Sequence, residues 1–299
     1  MCSPLFLSIL CSLSCINHQT QHPLHQPSIT MPFPYKTVLI TGASAGIGKA
    51  LVDKMIAEQG DDIFIIAAGR SQDSLDALVA THGSSRIATE TVDVSDLAAL
   101  PAWIASVTQK YPALDCVIFN AGFQQSMDFT KSDTIPLDQV TAEITTNYTS
   151  PVHTTALLLP HLLAMAPKPV SLVYVTSGLA LIPIQRCPNY CATKAALHSF
   201  LFTLRSQMED HEHVRVIEVI PPAVQTGLHK RQGLPTMGMP LADFINETWA
   251  GLLAEKDEIM PDSLRQHVGK IDDVKKAVFK GFNERIKAAV AAAQANAGQ

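Results

Sequence analysis

Apolar runs and segments of helical spacing alternate along residues 36–222, and this alternation restricts the possible folds more than any other feature. The run DIFIIAAG (62–69) is almost continuously apolar, as expected of a strand buried on both faces. The segment GKALVDKMIAEQ (48–59) instead places its apolar residues at the spacing of one helix face. Repeated βαβ alternation predicts a three-layer α/β fold, in which a doubly wound parallel sheet lies between two layers of helices.

Six strands and five helices are predicted along this part of the chain. The strands are 36–42, 62–69, 86–94, 114–122, 170–177 and 214–222. The helices are 48–59, 71–82, 96–110, about 137–165 and 189–210. A chain of 299 residues, 47% of them hydrophobic, is long enough to bury the core of one large domain.

The first 30 residues differ in composition from the rest of the chain. Their apolar run, MCSPLFLSILCSLSCI, is too short to span a bilayer comfortably. It also lacks the preceding Lys or Arg and the following small-residue cleavage site of a signal peptide. We therefore expect 1–30 to be a disordered or mis-assigned extension, 31–262 to be the domain, and 263–299 to be a C-terminal helix and tail.

Charge and cysteine spacing exclude several classes of protein. The net charge is −5, and no long basic stretch is present, so nucleic acid is not an expected partner. The six cysteines are widely spaced and include no C-x-x-C pair, which indicates reduced thiols in a cytoplasmic protein. The sequence predicts neither a metal site nor a stable membrane span.

The turn after the first predicted strand carries a glycine-rich segment, LITGASAGIGKAL (39–51). Gly42, Gly46 and Gly48 would let the backbone approach a pyrophosphate closely, at a helix N-terminus with free N–H groups. A tight βα turn without a ligand is the alternative. A second alternative is that GASAG (42–46) is the G-x-S-x-G elbow of an α/β-hydrolase, with Ser44 as nucleophile. That elbow normally follows several strands, and the chain contains no HGG-type oxyanion segment.

A tyrosine and a lysine stand four residues apart in NYCATKAAL (189–197), on one face of a predicted helix. The motifs that precede this pair occur in a defined order: Thr41-Gly42-x-x-x-Gly46-x-Gly48, Asn120-Ala121-Gly122, Ser177, and then Tyr190-x-x-x-Lys194. In this order they resemble the short-chain dehydrogenase/reductase (SDR) family, in its single-domain oxidoreductase branch, over about residues 35–230. The resemblance implies a Rossmann-type fold that binds a dinucleotide and transfers a hydride between nicotinamide and a carbonyl or alcohol.

The resemblance also implies the catalytic residues. Tyr190 would be the acid/base, although a phenol has a pKa near 10, so Lys194 and a cationic nicotinamide would have to favour the phenolate. Ser177 would hydrogen-bond the substrate oxygen, and Asn147 matches the helix asparagine that orients a water beside the lysine. Alternatively, Ser177 only ends a strand, Asn147 is a buried polar residue bonded to backbone, and the tyrosine–lysine pair is a solvated helix face.

The end of the second predicted strand bears on the cofactor. An NAD site usually has a carboxylate there, whereas this chain has Gly69 followed by Arg70, which suits a 2′-phosphate. NADP(H) is therefore preferred, with NAD(H) as the alternative, and Asp93 matches the acid that contacts adenine. The predicted cofactor-binding residues are Gly42, Ser44, Gly46, Ile47, Gly48, Arg70, Asp93, Asn120, Gly122, Tyr190, Lys194, Val224 and Thr226.

Three further features concern the loop after the sixth strand, the substrate and the C-terminus. The loop carries Pro222 where the family often has glycine, which stiffens the backbone. The resemblance implies that residues 227–245 form a lid over the substrate; its apolar members are Leu228, Leu234, Met237, Met239 and Leu241. With Phe123 and Leu179 they suggest an apolar small-molecule substrate, and ordinary packing of the lid is the alternative. Apolar residues at helical spacing in 262–290 predict a helix that covers the core or makes a subunit contact, which leaves a homo-oligomer open.

A dinucleotide-binding regulator with a silent catalytic site is the alternative to an oxidoreductase function.

Overall fold

The computed structural model describes residues 33–230, 232–233 and 235–297, and in this part of the chain it confirms the predicted three-layer α/β fold. A seven-stranded parallel sheet has the order β3-β2-β1-β4-β5-β6-β7. The strands are β1 (Thr37–Thr41), β2 (Phe64–Gly69), β3 (Ile87–Thr91), β4 (Cys116–Phe119), β5 (Val170–Val175), β6 (Val214–Val219) and β7 (Glu258–Ile259). The prediction for 1–30 lies outside the described residues.

Nine α-helices connect and flank these strands in the described residues. They are α1 (Gly46–Gln59), α2 (Gln72–His82), α3 (Leu100–Lys110), α4 (Leu137–Ile144), α5 (Ser150–Leu163), α6 (Pro188–Gln207), α7 (Gly227–Lys230), α8 (Leu241–Leu253) and α9 (Asp262–Ala297). A π-helical turn, Thr145–Thr149, joins α4 to α5. Helices α1, α2 and α8 pack on one face of the sheet, whereas α3, α5 and α6 pack on the other.

The strand order reverses at β1, and this reversal positions the site. Strand β1 pairs with β2 on one side and with β4 on the other, so that Leu39 lies between Ile66 and Val117. The connections therefore leave β1 and β4 in opposite directions, and a crevice opens between their carboxyl ends. In a sheet of this kind, ligands bind in that crevice.

The C-terminal part of the chain differs from the prediction. Strand β7 and helix α8 were not expected, and the predicted lid ends earlier than residue 245, because Met239 and Leu241 pack against the hydrophobic core. Helix α9 is present, but the apolar side chains of its predicted stripe are 47–66% exposed, so they do not cover the core. Among the described helices, none is both long and apolar enough to cross a membrane.

Candidate active site

A cavity of about 850 Å³ opens at the carboxyl ends of the strands. The turns that follow β1, β2, β4, β5 and β6 all contribute to its lining, as does the N-terminal half of α6. Most of the predicted site residues line it: Gly42, Ser44, Gly46, Ile47, Arg70, Asp93, Asn120, Gly122, Ser177, Tyr190, Lys194, Val224 and Thr226. Gly48 and Asn147 are not among the lining residues.

The glycines between β1 and α1 allow a close approach of backbone segments. Gly42 and Gly46 have φ values of +66° and +55°, a conformation that other residues rarely adopt. Gly48 lies beneath them, and a Cβ at this position would come within 2.3 Å of the Gly42 carbonyl oxygen. Gly48 therefore supports the shape of the turn rather than lining the cavity.

The N-terminus of α1 faces this turn with uncapped donors. The residue before the helix is Ala45, whose side chain offers no cap for the N–H groups of the first turn. Free N–H groups and the positive end of the helix dipole suit a phosphate group. Asn120 fixes the neighbouring segment, because its Nδ2 donates to the carbonyl oxygens of Thr41 and Gly42, both at 3.1 Å. These features fit the pyrophosphate of a dinucleotide.

Arg70 and Asp93 lie at the rim of the same end of the cavity. The Arg70 guanidinium is 4.0 Å from the Asp93 carboxylate, and the Arg70 side chain is 77% exposed. Partial burial acts to raise the pKa of Asp93, but hydrogen bonds from Ser95 and the charge of Arg70 outweigh it, so this pKa lies below its usual value. The rim therefore carries an exposed cation next to an ionised carboxylate.

Three predicted catalytic side chains converge at the other end of the cavity. Ser177 lies two residues after the end of β5, and its hydroxyl accepts a hydrogen bond from the Leu179 backbone N–H at 3.1 Å. Tyr190 and Lys194 lie in the first turns of α6, with Lys194 Nζ 5.8 Å from the Tyr190 ring centroid. All three side chains are buried, so the interpretation of the tyrosine–lysine pair as a solvated helix face is wrong.

Burial governs the protonation of these groups. It raises the pKa of Tyr190 well above the ordinary value of a phenol, and the Ser177 hydroxyl acts in the opposite direction. Burial also lowers the pKa of Lys194 to about 8, although the Glu218 and Glu143 carboxylates oppose this shift. In this geometry the Tyr190 phenol keeps its proton at neutral pH.

Asn147 lies in the π-helical turn and is fully buried. Its Oδ1 accepts from the Phe123 backbone N–H at 3.1 Å, and its Nδ2 donates to the Phe123 carbonyl at 2.9 Å. Gly122 makes this contact possible, because a Cβ there would come within 2.9 Å of Asn147 Oδ1. The side chain thus holds the loop after β4 rather than facing the cavity.

The loop after β6 keeps its expected place despite Pro222. Pro221, Pro222, Ala223, Val224 and Thr226 all line the cavity. The backbone N–H of Gln225 donates to the Met239 carbonyl at 2.9 Å, and the Met239 N–H donates to the Ala223 carbonyl at 2.8 Å. This pairing fixes the loop without an N–H at residue 222.

The predicted lid is only partly a cavity wall. Leu228 and Met237 line the cavity together with Phe123, Leu179 and Ile184, whereas Leu234 lies outside the described residues. No histidine is among the described residues that line the cavity, so Ser44 has no base there to activate it as a hydrolase nucleophile.

Comparison with known proteins decides between these interpretations. The family model described as short chain dehydrogenase matches residues 36–235. The chain belongs to the short-chain dehydrogenase family. It is thus an oxidoreductase of the SDR family, and the hydrolase alternative is wrong.

Individual SDR relatives agree with this assignment. An uncharacterized oxidoreductase, DltE of Bacillus subtilis, is 41% identical over 233 residues, which cover 77% of this chain and 89% of that protein. The benzil reductase ((S)-benzoin forming) IRC24 of Saccharomyces cerevisiae is 31% identical over 208 residues, which cover 68% of this chain and 78% of the yeast protein. A short-chain dehydrogenase from Sphingobium yanoikuyae, solved in complex with NADPH, shares the fold with a TM-score of 0.70 at 24% identity, covering 83% of this chain and 95% of that one.

Three polar residues of the SDR site escaped the sequence reasoning. Glu143 is fully buried and accepts hydrogen bonds from the Gln125 backbone N–H at 2.8 Å and from Asn189 Nδ2 at 2.6 Å. It thereby ties α4 to the start of α6, and its position one helical turn before Asn147 was the available signal. Arg186 and Gln124 line the cavity on loops, where no periodicity marks them.

Proposed function

We propose that this SDR protein is an NADP(H)-dependent oxidoreductase that interconverts a carbonyl compound and a secondary alcohol, with Tyr190 as the proton donor and acceptor. The observation that carries the proposal is the shared cavity. Ser177, Tyr190 and Lys194 line one part of it, whereas the glycine turn and Arg70 line another. One ligand can therefore reach a phosphate-binding helix N-terminus while a second meets a buried phenol.

The residues of the chain would act as a proton-transfer unit. Because burial raises the pKa of Tyr190, its hydroxyl is protonated at neutral pH and can donate to a carbonyl oxygen as negative charge develops there. The Ser177 hydroxyl is available to hydrogen-bond the same oxygen. Lys194 Nζ donates to the Val175 carbonyl at 2.9 Å, which fixes the ammonium group beneath the tyrosine.

A nicotinamide dinucleotide would supply the hydride when it is bound. Gly42, Gly46 and the uncapped start of α1 would hold its pyrophosphate. Arg70 supports NADP(H) over NAD(H), because its guanidinium lies at the rim of the cavity and can bind a 2′-phosphate. The acidic residue that an NAD site usually has at the end of this strand is replaced here by Gly69. The related Sphingobium yanoikuyae protein, which is in complex with NADPH, is consistent with this preference. NAD(H) stays the alternative.

The lining supports a small-molecule substrate with an apolar part. Phe123, Leu179, Ile184, Leu228 and Met237 supply apolar surface to the cavity. A benzil reductase is among the relatives, and benzil is an apolar diketone. The cytoplasmic location and the homo-oligomer stay predictions.

The competing function is a dinucleotide-binding regulator with a silent site. Such a protein has no need for a buried tyrosine, serine and lysine at the cavity, all of which this chain retains. Turnover separates the two functions. Cofactor binding without reaction across a broad panel of carbonyl compounds and alcohols would support the regulator.

The first prediction tests the role of Tyr190. Tyr190→Phe removes the ionisable hydroxyl but keeps the ring, so NADPH binding should persist while turnover falls by at least about a hundredfold. Turnover is followed as NADPH oxidation at 340 nm, and binding by fluorescence titration. Tyr148→Phe is the matched control, since Tyr148 packs against the hydrophobic core and should leave the rate unchanged. Near-normal turnover in the Tyr190 variant would refute the assigned role.

A further inference from the structure

Arg186 lines the cavity on the loop that leads into α6, four residues before Tyr190. Its guanidinium binds only neutral groups among the described residues. Nη1 donates to the Ser126 hydroxyl and to Gln232 Oε1, both at 2.8 Å, and Nη2 donates to Gln124 Oε1 at 3.1 Å. The partners of this cation therefore orient it without neutralising its charge.

No carboxylate of the described residues pairs with Arg186, which distinguishes it from other arginines of the chain. Arg205 and Arg215, for example, each contact two carboxylates. Among the described residues, the charge of Arg186 is therefore left without an acidic partner.

The unused donors of Arg186 have a defined arrangement. A guanidinium carries five N–H groups, and three are engaged by Ser126, Gln232 and Gln124. The N–H on Nε and one N–H on Nη2 have no acceptor among the described residues. Nε and Nη2 lie on one edge of the planar group, and N–H donors on such an edge form a fork that matches the two oxygens of a carboxylate.

The neighbours of Arg186 hold this fork in place. Gln124 is 5% exposed, and its Oε1 accepts from both Arg186 and Gln232 Nε2, the latter at 3.1 Å. Ser126 lies on the loop after β4, and Gln232 follows α7. Two segments, the loop after β4 with Gln124 and Ser126 and the stretch after α7, therefore converge on one guanidinium, and little side-chain freedom remains to be lost when it binds a ligand.

We propose that Arg186 binds a carboxylate of the substrate, so that the preferred substrates are oxo acids or the corresponding hydroxy acids with an apolar remainder. This inference rests on the proposed function, because it assigns the substrate class of the same site. Arg186 is then a specificity-determining residue. The apolar side chains of the cavity would contact the carbon skeleton between the acid and the reacting carbonyl.

The test compares acids with their own neutral esters. Aromatic and alkyl 2-oxo and 4-oxo acids and their methyl esters are assayed with NADPH, using wild type, Arg186→Met and Arg186→Lys. Wild type should prefer the acids. In Arg186→Met, kcat/KM for the acids should fall by about ten- to a hundredfold, mainly through KM, because a charge-assisted contact contributes roughly 1.5–3 kcal/mol. The esters should change by less than about threefold, and Arg186→Lys should keep part of the preference.

The controls separate binding from folding. Arg285→Met removes the same charge from an exposed position of α9 and should leave the acid-to-ester ratio unchanged. NADPH affinity and thermal unfolding should be similar in wild type and both Arg186 variants. Equal losses for acids and esters would show that Arg186 only shapes the loop, and a wild-type preference for esters would overturn the proposal while leaving the oxidoreductase function intact. Absence of turnover for every acid and ester would overturn both.

Discussion

At the scale of single residues, exposure decides how strongly a charge can act. Arg70 is 77% exposed at the rim of the cavity, with Asp93 4.0 Å away, so water and a carboxylate both weaken its field. Arg186 is partly buried and has no such neighbour among the described residues. We therefore expect Arg70 to give a modest preference for NADPH over NADH, and Arg186 to give a larger preference for acids over their neutral esters.

The preference for NADPH is the second prediction. Arg70→Ala should weaken NADPH binding by about tenfold and leave NADH nearly unchanged, because only the 2′-phosphate faces the guanidinium. Gly69→Asp should shift the preference further toward NADH, since a carboxylate repels phosphate and can accept from a 2′-hydroxyl. Titrations of both cofactors measure the effect, with Arg86→Ala as a control outside the cavity lining. Equal weakening of both cofactors in Arg70→Ala would mean that Arg70 only packs against the cofactor.

Residue spacing explains which site residues could be predicted. Tyr190 and Lys194 share a face of α6, and Ser177 follows the end of β5 by two residues, so each has a position set by a neighbouring regular element. Asn147 was placed on the correct helical segment, yet its side chain turns to the backbone of Phe123 and to the Thr193 hydroxyl, which together engage its amide oxygen and nitrogen. Arg186 and Gln124 meet only through the folding of loops 62 residues apart, which no local pattern encodes.

At the scale of elements, the β1–α1 turn is a tightly constrained part of the site. A Cβ at Gly48 would lie 2.3 Å from the Gly42 carbonyl oxygen and 2.4 Å from Asn120 Nδ2. Asn120 in turn bonds the carbonyls of Thr41 and Gly42. The helix start, the turn and the end of β4 therefore form one unit, and a single methyl group would separate them.

The third prediction follows from this packing. Gly48→Ala should lower the free energy of unfolding by about 1–3 kcal/mol, the usual effect of overpacking, and should weaken cofactor binding as well. Gly281→Ala is the matched control in α9, where the added Cβ meets nothing within 4 Å. It should stabilise the protein by up to about 1 kcal/mol, because alanine favours a helix over glycine. Urea unfolding measures both, and equal effects of the two substitutions would contradict this account of the turn.

The elements that the sequence did not predict are those with weak local signals. Strand β7 has two residues, too few for any periodicity. Helix α8 buries Phe244 and Trp249 against α1 and Phe33, but its first residues fall in the region that the family resemblance had assigned to a lid over the substrate. In α9 the apolar spacing predicted the helix correctly, but the apolar stripe does not cover the core, because the helix uses Val268, Asp272 and Lys276 to contact the domain. The alternative, a subunit contact, stays a prediction.

At the scale of the whole molecule, a buried ionic network attaches α9 to the domain. His198 on α6 is fully buried, and its Nδ1 is 2.9 Å from Glu218 Oε1 on β6. Its Nε2 lies 3.4 Å from Asp272 Oδ1 on α9, without the alignment of a hydrogen bond. Lys276 Nζ, one turn further along α9, is 2.6 Å from Asp272 Oδ2. A protonated His198 is thus held between two carboxylates of different elements.

This network makes stability depend on pH in two separate ranges. Burial acts to lower the pKa of His198, but Asp272 and Glu218 outweigh it and raise this pKa to about 9. Stabilisation from the charged imidazole is therefore complete below the ordinary value near 6.5 and is lost as pH rises through 9. Burial acts to raise the pKa of Asp272, but His198 and Lys276 outweigh burial and lower this pKa to about 2. The stabilisation that the ionised Asp272 carboxylate gives is therefore lost only as pH falls from about 4 toward 2.

The last prediction uses the alkaline range, in which only His198 of this pair titrates. His198→Gln keeps a polar side chain of similar size but removes the buried cation that Glu218 and Asp272 share, which Arg205 and Lys276 replace only in part, so it should destabilise the protein most at pH 6. The difference in free energy of unfolding between wild type and variant should then shrink by on the order of 3 kcal/mol as pH rises to 9, because wild type loses the same charge. Urea unfolding at pH 6, 7.5 and 9 measures this difference. His153→Gln is the control on an exposed histidine and should follow wild type at each pH. A difference that stays constant from pH 6 to 9 would show that His198 is neutral in the folded protein, and that α9 is held by packing and by Lys276 instead.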